Sequence, residues 1–168
     1  MSNSVERFSD RVANYVKYRP DYPSEIVGYL EREGVIDDDS LIADIGSGPG
    51  ISCKIFLENG NRVIGVEPND VMREAATEYL GEFSKFESVD GNAHATTLDD
   101  SSIDMIVAAQ AFHWFDATKA RTEFQRVLKP GGEVVLIWNE RCLDADEFHR
   151  EYESLLLKHA NDYGSVRH

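Results

Sequence analysis

Three closely spaced glycines and one downstream acid have the residue types and spacing expected of a nucleoside site. Gly46, Gly48 and Gly50 follow the apolar run Leu41–Ile45, and Glu67 ends a second apolar run. Glycine takes positive φ readily and lets the backbone approach a ligand closely. An acid at the tip of the second strand can accept hydrogen bonds from the two hydroxyls of a ribose. The pattern predicts a nucleoside-binding βαβ unit.

The glycine spacing also bears on the kind of nucleotide. The dinucleotide motif G-x-G-x-x-G would place a third glycine where this chain has Ile51 or Cys53. Without a glycine there to admit a pyrophosphate, a mononucleoside fits better than NAD. Pro68 follows Glu67 and has no backbone donor for a strand ladder, which leaves the Glu67 carboxylate at a strand end. The alternative for Glu67 is a solvent-exposed acid.

Composition limits the classes of partner. The 168 residues fit one domain, and the net charge of -14 argues against nucleic acid and against anionic membrane surfaces. The sequence shows no secretory leader and no apolar run of membrane-spanning length. Its two cysteines, Cys53 and Cys142, lack metal-ligand spacing. We therefore expect a cytoplasmic protein that binds no nucleic acid, no membrane and no metal.

Apolar strands alternate with helical patterns from residue 41 onward, which favours an α/β fold with a mostly parallel sheet. The pattern predicts strands at 41–45, 62–67, 86–89, 103–109 and 133–138. It predicts one helix at 5–16 and a second that begins after a capping Ser24. Further helices are predicted at 51–59, 71–80, 117–128 and 146–160, and Pro130-Gly131-Gly132 is expected to end the helix at 117–128. We expect a single domain made of an N-terminal helical cap, residues 1–40, and a core, residues 41–168.

Ligands of open parallel sheets bind outside the carboxyl ends of the strands. The residues that come just after the predicted strands are small, polar or aromatic, whereas the strand interiors are apolar. They are Gly46–Gly50, Glu67, Asp90–Ala93, Gln110–Trp114 and Asn139. This distribution indicates a ligand site at the carboxyl edge of the sheet.

Several motifs, in this order along the chain, resemble those of class I S-adenosylmethionine-dependent methyltransferases. They are Asp44–Gly50, Gly65–Pro68, Asp90–Ala93 and Arg126–Gly132. The segment Ala109–Phe115 and the N-terminal pattern from Phe8 to Pro23 are similar to the type 11, trans-aconitate-methyltransferase-like branch. The resemblance implies a three-layer Rossmann-like fold, S-adenosylmethionine as cofactor and methyl transfer to a small-molecule acceptor.

The resemblance also implies roles for the glycines and acids. Gly46, Gly48 and Gly50 would line the methionine and ribose portions of the cofactor. Asp44 would orient the cofactor's amino group through water, and Glu67 would accept hydrogen bonds from both ribose hydroxyls.

Five further residues receive cofactor roles from the resemblance. Met72 would lie against one face of the adenine, and Asn92 and Ala93 would read its edge. Gln110 would sit beside the methionine portion, and Arg19 could pair with the cofactor carboxylate. The structural alternatives are a core position for Met72 and anchoring of a turn to an acid for Arg19.

His113 is the candidate catalytic residue, because an imidazole there could take a proton from an acceptor. The alternative is a hydrogen-bonded histidine inside an aromatic cluster. The resemblance favours that alternative, because class I enzymes share no universal base and alignment of the reactants supplies much of the rate. Tyr15, Tyr18 and Trp114 would wall the acceptor pocket.

One departure from the family pattern matters. The family's domain has an antiparallel strand pair beyond the fifth strand, and the chain ends at His168 without sequence for it. An apolar edge at 133–138 would then be exposed, which predicts homodimerisation or aggregation through that edge. A cofactor-binding module without catalysis stays open, as does, less favoured, a nicotinamide-dependent oxidoreductase.

Overall fold

The computed structural model describes residues 19–140, 142–160 and 163. The predicted helix at 5–16 and the predicted pocket residues Tyr15 and Tyr18 lie outside the described residues. The chain divides into two compact units, Met1–Trp138 and Asn139–His168. The predicted division at residue 40 into a cap and a core stays a prediction.

A parallel five-stranded sheet forms the centre of the first unit. Its strands are β1 (Leu41–Ile45), β2 (Arg62–Val66), β3 (Phe86–Val89), β4 (Ile103–Ala109) and β5 (Leu128–Ile137). The order across the sheet is β3-β2-β1-β4-β5, and every neighbouring pair is parallel. The strand order reverses between β1 and β4, where open α/β sheets bind ligands. The predicted α/β fold is therefore confirmed.

Helices flank the strands along the chain. They are α1 (Glu25–Arg32), α2 (Ile51–Glu58), α3 (Asp70–Tyr79), a 3₁₀ helix (Phe112–Trp114), α4 (Ala117–Val127) and, in the second unit, α5 (Glu147–His159). The side chains of Asn69, Asp116 and Asp146 accept backbone N–H groups as N-caps of α3, α4 and α5. Ser24 holds the N-cap position of α1 but makes no capping bond, because its backbone is already helical.

Hydrophobic cores lie on both faces of the sheet, which gives the three predicted layers. Ile42 belongs to the cluster with α1 and α2, whereas the next residue, Ala43, belongs to the cluster with α4. This alternation follows from the two-residue period of a strand. Every residue of β4 except Asp104 is buried, as the apolar run 103–109 predicts for a strand covered on both sides.

The start of β5 differs from the prediction. Leu128 follows α4 directly and pairs with Ile103, and the register then shifts so that Glu133 pairs with Met105. The predicted breaker Pro130-Gly131-Gly132 therefore lies inside the strand as an irregularity, with φ of +87° at Gly131. Pairing with β4 on both sides of this tripeptide overrides its local preference for a turn.

β5 ends the sheet, and on its outer side no described strand pairs with it. The side chains of Val134 and Leu136 remain 42% and 39% exposed. None of the described helices combines the length and the apolar character that crossing a bilayer requires.

Candidate functional site

The glycine turn between β1 and α2 holds three glycines in the left-handed region, at φ of +74°, +54° and +87°. A Cβ atom on Gly46 would lie 2.8 Å from Ala111 Cβ, and one on Gly50 would lie 2.6 Å from Leu80 Cδ1. A Cβ atom on Gly48 would meet nothing within 4 Å. Gly46 and Gly50 are therefore required for close packing as well as for backbone conformation, whereas Gly48 faces open space.

Glu67 follows β2 directly and reaches the glycine turn. Its Oε2 accepts a hydrogen bond from Gly48 N at 3.0 Å, and its Oε1 accepts one from Asn69 N at 3.0 Å. Burial raises the pKa of Glu67, and the two backbone hydrogen bonds and the Arg73 charge act against that rise. The structure thus brings together the two features from which the sequence predicts a nucleoside site.

Asp44, near the end of β1, is a fully buried acid with an incomplete set of partners. Its Oδ2 accepts hydrogen bonds from Ser52 Oγ at 2.5 Å and from Cys53 Sγ at 3.2 Å, while its Oδ1 has no protein donor. Burial, with a smaller contribution from the Glu67 charge, raises the pKa of Asp44 to about 6. A buried carboxylate oxygen without a donor is costly, so a ligand or water that supplies one would be bound favourably.

Cys53 is a structural donor in this cluster. Burial first, and then the neighbouring Asp44, raise the pKa of its thiol well above the ordinary value. The thiolate is the reactive form of cysteine, so this environment disfavours reactivity.

The segment after β3 forms a tight turn. Asn92 N donates to Ala95 O at 3.0 Å, and Ala95 N donates to Asn92 O at 3.1 Å. The exposed side chain of Asn92 accepts from His94 N at 2.9 Å, so its carbonyl oxygen already holds the turn. Ala93 is buried in the core cluster with α4.

Arg73 on α3 connects the ends of two strands and was not singled out from the sequence. Its Nη1 donates to Glu67 O at 2.8 Å and to Asp90 Oδ1 at 3.2 Å, and its Nη2 pairs with Asp70. The pair three residues apart on one helix, Asp70 and Arg73, is readable from sequence. The contact with the end of β3 is not, because it depends on the tertiary fold.

Met72 lies on the first turns of α3 and is 4% exposed. Its helix begins three residues after Glu67, so Met72 is near the same edge of the sheet. Its contact with an adenine ring stays a prediction.

The segment after β4 begins with a strained residue. Gln110 has a φ of +55°, which is unusual for a residue other than glycine, and its N–H donates to Ile137 O at 2.8 Å. His113 is exposed, and its ring centroid lies 4.7 Å from that of Trp114, which is itself 55% exposed. The catalytic role of His113 and the alternative role in an aromatic cluster both stay predictions.

Arg19 is exposed at the beginning of the described chain. Its pairing with a cofactor carboxylate stays a prediction. Within the described part of the chain, no group of three or more His, Cys, Asp and Glu side chains is arranged to hold a metal ion.

The arrangement suits a ligand with a vicinal diol and a cationic amine. Each oxygen of Glu67 accepts one backbone hydrogen bond and keeps capacity for a second from a hydroxyl group. Asp44 Oδ1 offers a buried acceptor to an amine, directly or through water. Open space lies in front of Gly48, next to the Glu67 carboxylate that accepts its N–H.

Residues 43–136 match a family model described as a methyltransferase domain. A methyltransferase-like protein of Schizosaccharomyces pombe is 37% identical over 145 residues, which are 82% of this chain and 53% of that protein. A methyltransferase of Mycobacterium tuberculosis is 34% identical over 138 residues, which are 80% of this chain and 52% of that protein. The chain thus spans about half the length of the curated relatives it matches.

A crystal structure from Methanococcus maripaludis, of a protein assigned as an S-adenosyl-L-methionine-dependent methyltransferase, gives a TM-score of 0.69. The match covers 97% of this chain and 74% of that chain at 20% identity, and this likeness shows the fold alone. The family model, in contrast, matches more than half of the chain. The chain therefore belongs to the class I S-adenosylmethionine-dependent methyltransferases.

Proposed function

We propose that this protein binds S-adenosylmethionine at the carboxyl edge of its sheet and transfers the methyl group to a small-molecule acceptor. The observation that carries the proposal is the contact between Glu67 Oε2 and Gly48 N, beside open space at Gly48. The Glu67 carboxylate, which could accept hydrogen bonds from a ribose diol, thus lies against Gly48. Of the three glycines, Gly48 is the one whose Cβ position faces open space.

The acids divide the recognition of the cofactor between them. Glu67 accepts hydrogen bonds from both ribose hydroxyls with its remaining lone pairs. Asp44 Oδ1 accepts from the amino group through water, which gives this buried oxygen its missing donor. Gly46 and Gly50 keep the turn tight, so the backbone of the turn lines the methionine and ribose portions.

Other strand-end residues surround the adenine and the methionine. Met72 covers one adenine face, and Asn92 and Ala93 contact its edge at the end of β3. Gln110 contacts the methionine portion, and Arg19 pairs with its carboxylate. The strained backbone at Gln110 supports this role, because such strain occurs most often at functional sites.

The bound cofactor supplies a methyl group made electrophilic by the sulfonium. The chain's residues then have to align the acceptor with that methyl group and keep water away, which can lower a barrier by several kcal/mol. Trp114 forms part of the wall at this position. His113 takes a proton where the acceptor must lose one, and its exposure leaves it accessible to an incoming molecule.

The acceptor is a small molecule because the net charge of -14 disfavours polyanionic substrates. The similarity of Ala109–Phe115 to the trans-aconitate-methyltransferase-like branch supports this class. Two free cysteines, of which Cys142 is exposed, favour a reducing compartment such as the cytoplasm.

Calorimetry with S-adenosylhomocysteine tests the proposed site. The variant Gly48→Ala places a methyl group in the open space and should abolish measurable binding. The matched control is Gly34→Ala, which also has open space around its Cβ position and a left-handed φ, of +72°. Both variants bear a comparable backbone cost, so equal loss of binding in both, or retained binding in Gly48→Ala, would remove the glycine turn from the ligand site.

Transfer is tested separately from binding. The protein is incubated with labelled S-adenosylmethionine and a metabolite extract, and label is sought in small molecules. Label in an extracted compound supports the proposed reaction. Tight S-adenosylhomocysteine binding without transfer would instead favour a cofactor-binding module without catalysis.

The outer edge of β5 supports a proposed homodimer. Its apolar residues Val134 and Leu136 are exposed, and an unpaired strand edge invites pairing with a second copy. Light scattering should show a dimer that Leu136→Pro, which removes a backbone donor from the outer side of the strand, converts to monomer. A monomer in the unmodified protein at high concentration would rule out this pairing.

A further inference from the structure

His94 lies in the tight turn that follows β3. The turn is closed by the two backbone hydrogen bonds between Asn92 and Ala95, and the His94 N–H donates to Asn92 Oδ1 at 2.9 Å. These three bonds fix the backbone that carries the imidazole. The ring position is therefore tied to the conformation of the turn.

The imidazole reaches from this turn to the segment after β4. His94 Nε2 accepts a hydrogen bond from Asp116 N at 3.1 Å, across 22 positions of sequence. A neutral imidazole that accepts at Nε2 carries its proton on Nδ1, so the contact also selects one tautomer.

The backbone N–H of Asp116 needs a hydrogen-bond acceptor from another part of the fold. Asp116 is the N-cap of α4, and its side chain accepts from Thr118 N and Lys119 N. In a capping box, the side chain of the third helical residue accepts the N-cap N–H. That residue is Lys119 here, which has no acceptor, and His94 takes its place from a different loop.

The rest of the segment from 110 to 116 is held at its other end. Gln110 N donates to Ile137 O at 2.8 Å, and Ala111 packs so closely against Gly46 that no side chain fits there. His113 and Trp114 lie between these points and Asp116. The hydrogen bond from Asp116 N to His94 Nε2 thus connects the turn after β3 to the segment that carries the rings of His113 and Trp114.

We infer that His94 is a positioning residue that couples occupancy of the adenine-side turn to the placement of Trp114 and His113. The inference rests on the proposed function, in which the turn after β3 contacts adenine and the segment from 110 to 116 borders the acceptor. Contact with the adenosyl group shifts this internally fixed turn as a unit, and the imidazole transmits that shift to the backbone of Asp116.

Tryptophan fluorescence gives a readout at the far end of this link. The chain has two tryptophans, so Trp138→Phe leaves Trp114 as the single emitter. In that background, saturation with S-adenosylhomocysteine should change the Trp114 emission. His94→Ala should reduce the change by about threefold or more, in the range seen when coupling residues are removed. Calorimetric affinity should weaken by no more than about threefold, because one neutral hydrogen bond outside the ligand contact is lost.

His94→Gln is the rescue variant, because the Gln amide oxygen can accept the Asp116 N–H at a similar reach. It should restore the Trp114 response. The matched control is Glu123→Ala, which removes the contact of Thr96 with α4 and leaves His94 and Asp116 in place. This control should lower stability and keep the response.

The outcomes separate the inference from the proposed function. Absence of S-adenosylhomocysteine binding in the Trp138→Phe protein would contradict the proposed function itself. Binding with no Trp114 response, or with an equal response in His94→Ala, would overturn the role of His94. Failure of His94→Gln to restore the response while Glu123→Ala also loses it would reduce His94 to general stabilisation and equally overturn the coupling.

Discussion

Asp44 and Glu123 are acids in two regions of the same unit, and the protein treats them in opposite ways. Glu123 on α4 accepts from Thr96 N, Thr96 Oγ1 and two nitrogens of Arg126, at 2.6–2.9 Å, and both of its oxygens are engaged. Asp44 accepts two bonds on one oxygen and none on the other. The hydrogen bond with Arg126 is the main reason that the pKa of Glu123 falls to about 2, whereas burial raises that of Asp44 to about 6.

The difference teaches how to distinguish structural from ligand-binding acids. A carboxylate whose acceptors are filled by the chain, with a cation beside it, stabilises the fold directly. A carboxylate that is buried with spare acceptors lowers stability until something else supplies donors. By this criterion the network of Glu123 fastens the loop 96–100 to α4, and the unfilled acceptor of Asp44 supports its proposed role in ligand binding.

The largest expected effect is on the structural acid. Glu123→Ala removes all of its hydrogen bonds and leaves Arg126 without this partner, which should lower the free energy of unfolding by about 2–4 kcal/mol. Urea denaturation at pH 7 measures it, with Glu82→Ala, an exposed acid, as the control. Affinity for S-adenosylhomocysteine should change little. A large loss of affinity would contradict the separation between the structural acid Glu123 and the ligand site.

The pH dependence of this effect has a definite sign. The folded-state pKa of Glu123 lies below its ordinary value of 4.5, so its contribution is fully present above that value. The contribution is lost as the pH falls towards about 2. The gap in stability between the unmodified protein and Glu123→Ala should therefore narrow on acidification, as denaturation at a series of acidic pH values would show.

Glu67→Ala should give the next largest effect, on binding. Loss of hydrogen bonds from a charged acceptor to the ribose hydroxyls should weaken S-adenosylhomocysteine binding by about 1–3 kcal/mol in calorimetry. Stability should fall as well, because Gly48 N and Asn69 N lose their acceptor. Glu78→Ala removes the same charge from an exposed position on α3 and should leave affinity unchanged. Unaltered affinity in Glu67→Ala would remove this acid from the ribose site.

The fold was largely predictable because its strands are apolar runs bounded by turn residues. The bounds predicted for β3 and β4 agree with the structure, since Asp90-Gly91 and the segment after Ala109 end them sharply. β5 was predicted to begin five residues too late, at 133 instead of Leu128. Local turn chemistry at Pro130-Gly131-Gly132 gave no indication that pairing with β4 would extend through it.

The site was predictable only where topology alone brings residues together. Parallel strands place their carboxyl ends at one edge, so the neighbourhood of the glycine turn and Glu67 follows from strand order. Arg73 and His94 make their key contacts with residues 17 and 22 positions away, Asp90 and Asp116. Such contacts depend on loop conformation, which no local pattern in the sequence encodes.

The raised pKa of Asp44 predicts how stability and ligand affinity depend on pH. Its folded-state pKa of about 6 lies above the ordinary 3.8, so the folded protein holds this proton more tightly than the unfolded chain does. The corresponding stability is fully present below about pH 4 and is lost as the pH rises through about 6. A cationic amine beside Oδ1 favours the ionised form, so affinity for S-adenosylhomocysteine should rise over the same interval.

Asp44→Asn should give the smallest effect and the clearest one in sign. The amide cannot ionise, so the ligand-free variant should be more stable than the unmodified protein at pH 8. The removal of the buried charge raises stability and the unpaired amide N–H lowers it, which leaves a net gain of about 1 kcal/mol. Its stability should also lack the decline between pH 4 and 6, and its ligand affinity should be lower and nearly independent of pH. Thermal unfolding and calorimetry at a series of pH values measure the three quantities. A less stable variant at pH 8 would mean that the Asp44 charge already has its donors within the chain, and Asp44 would then belong with Glu123.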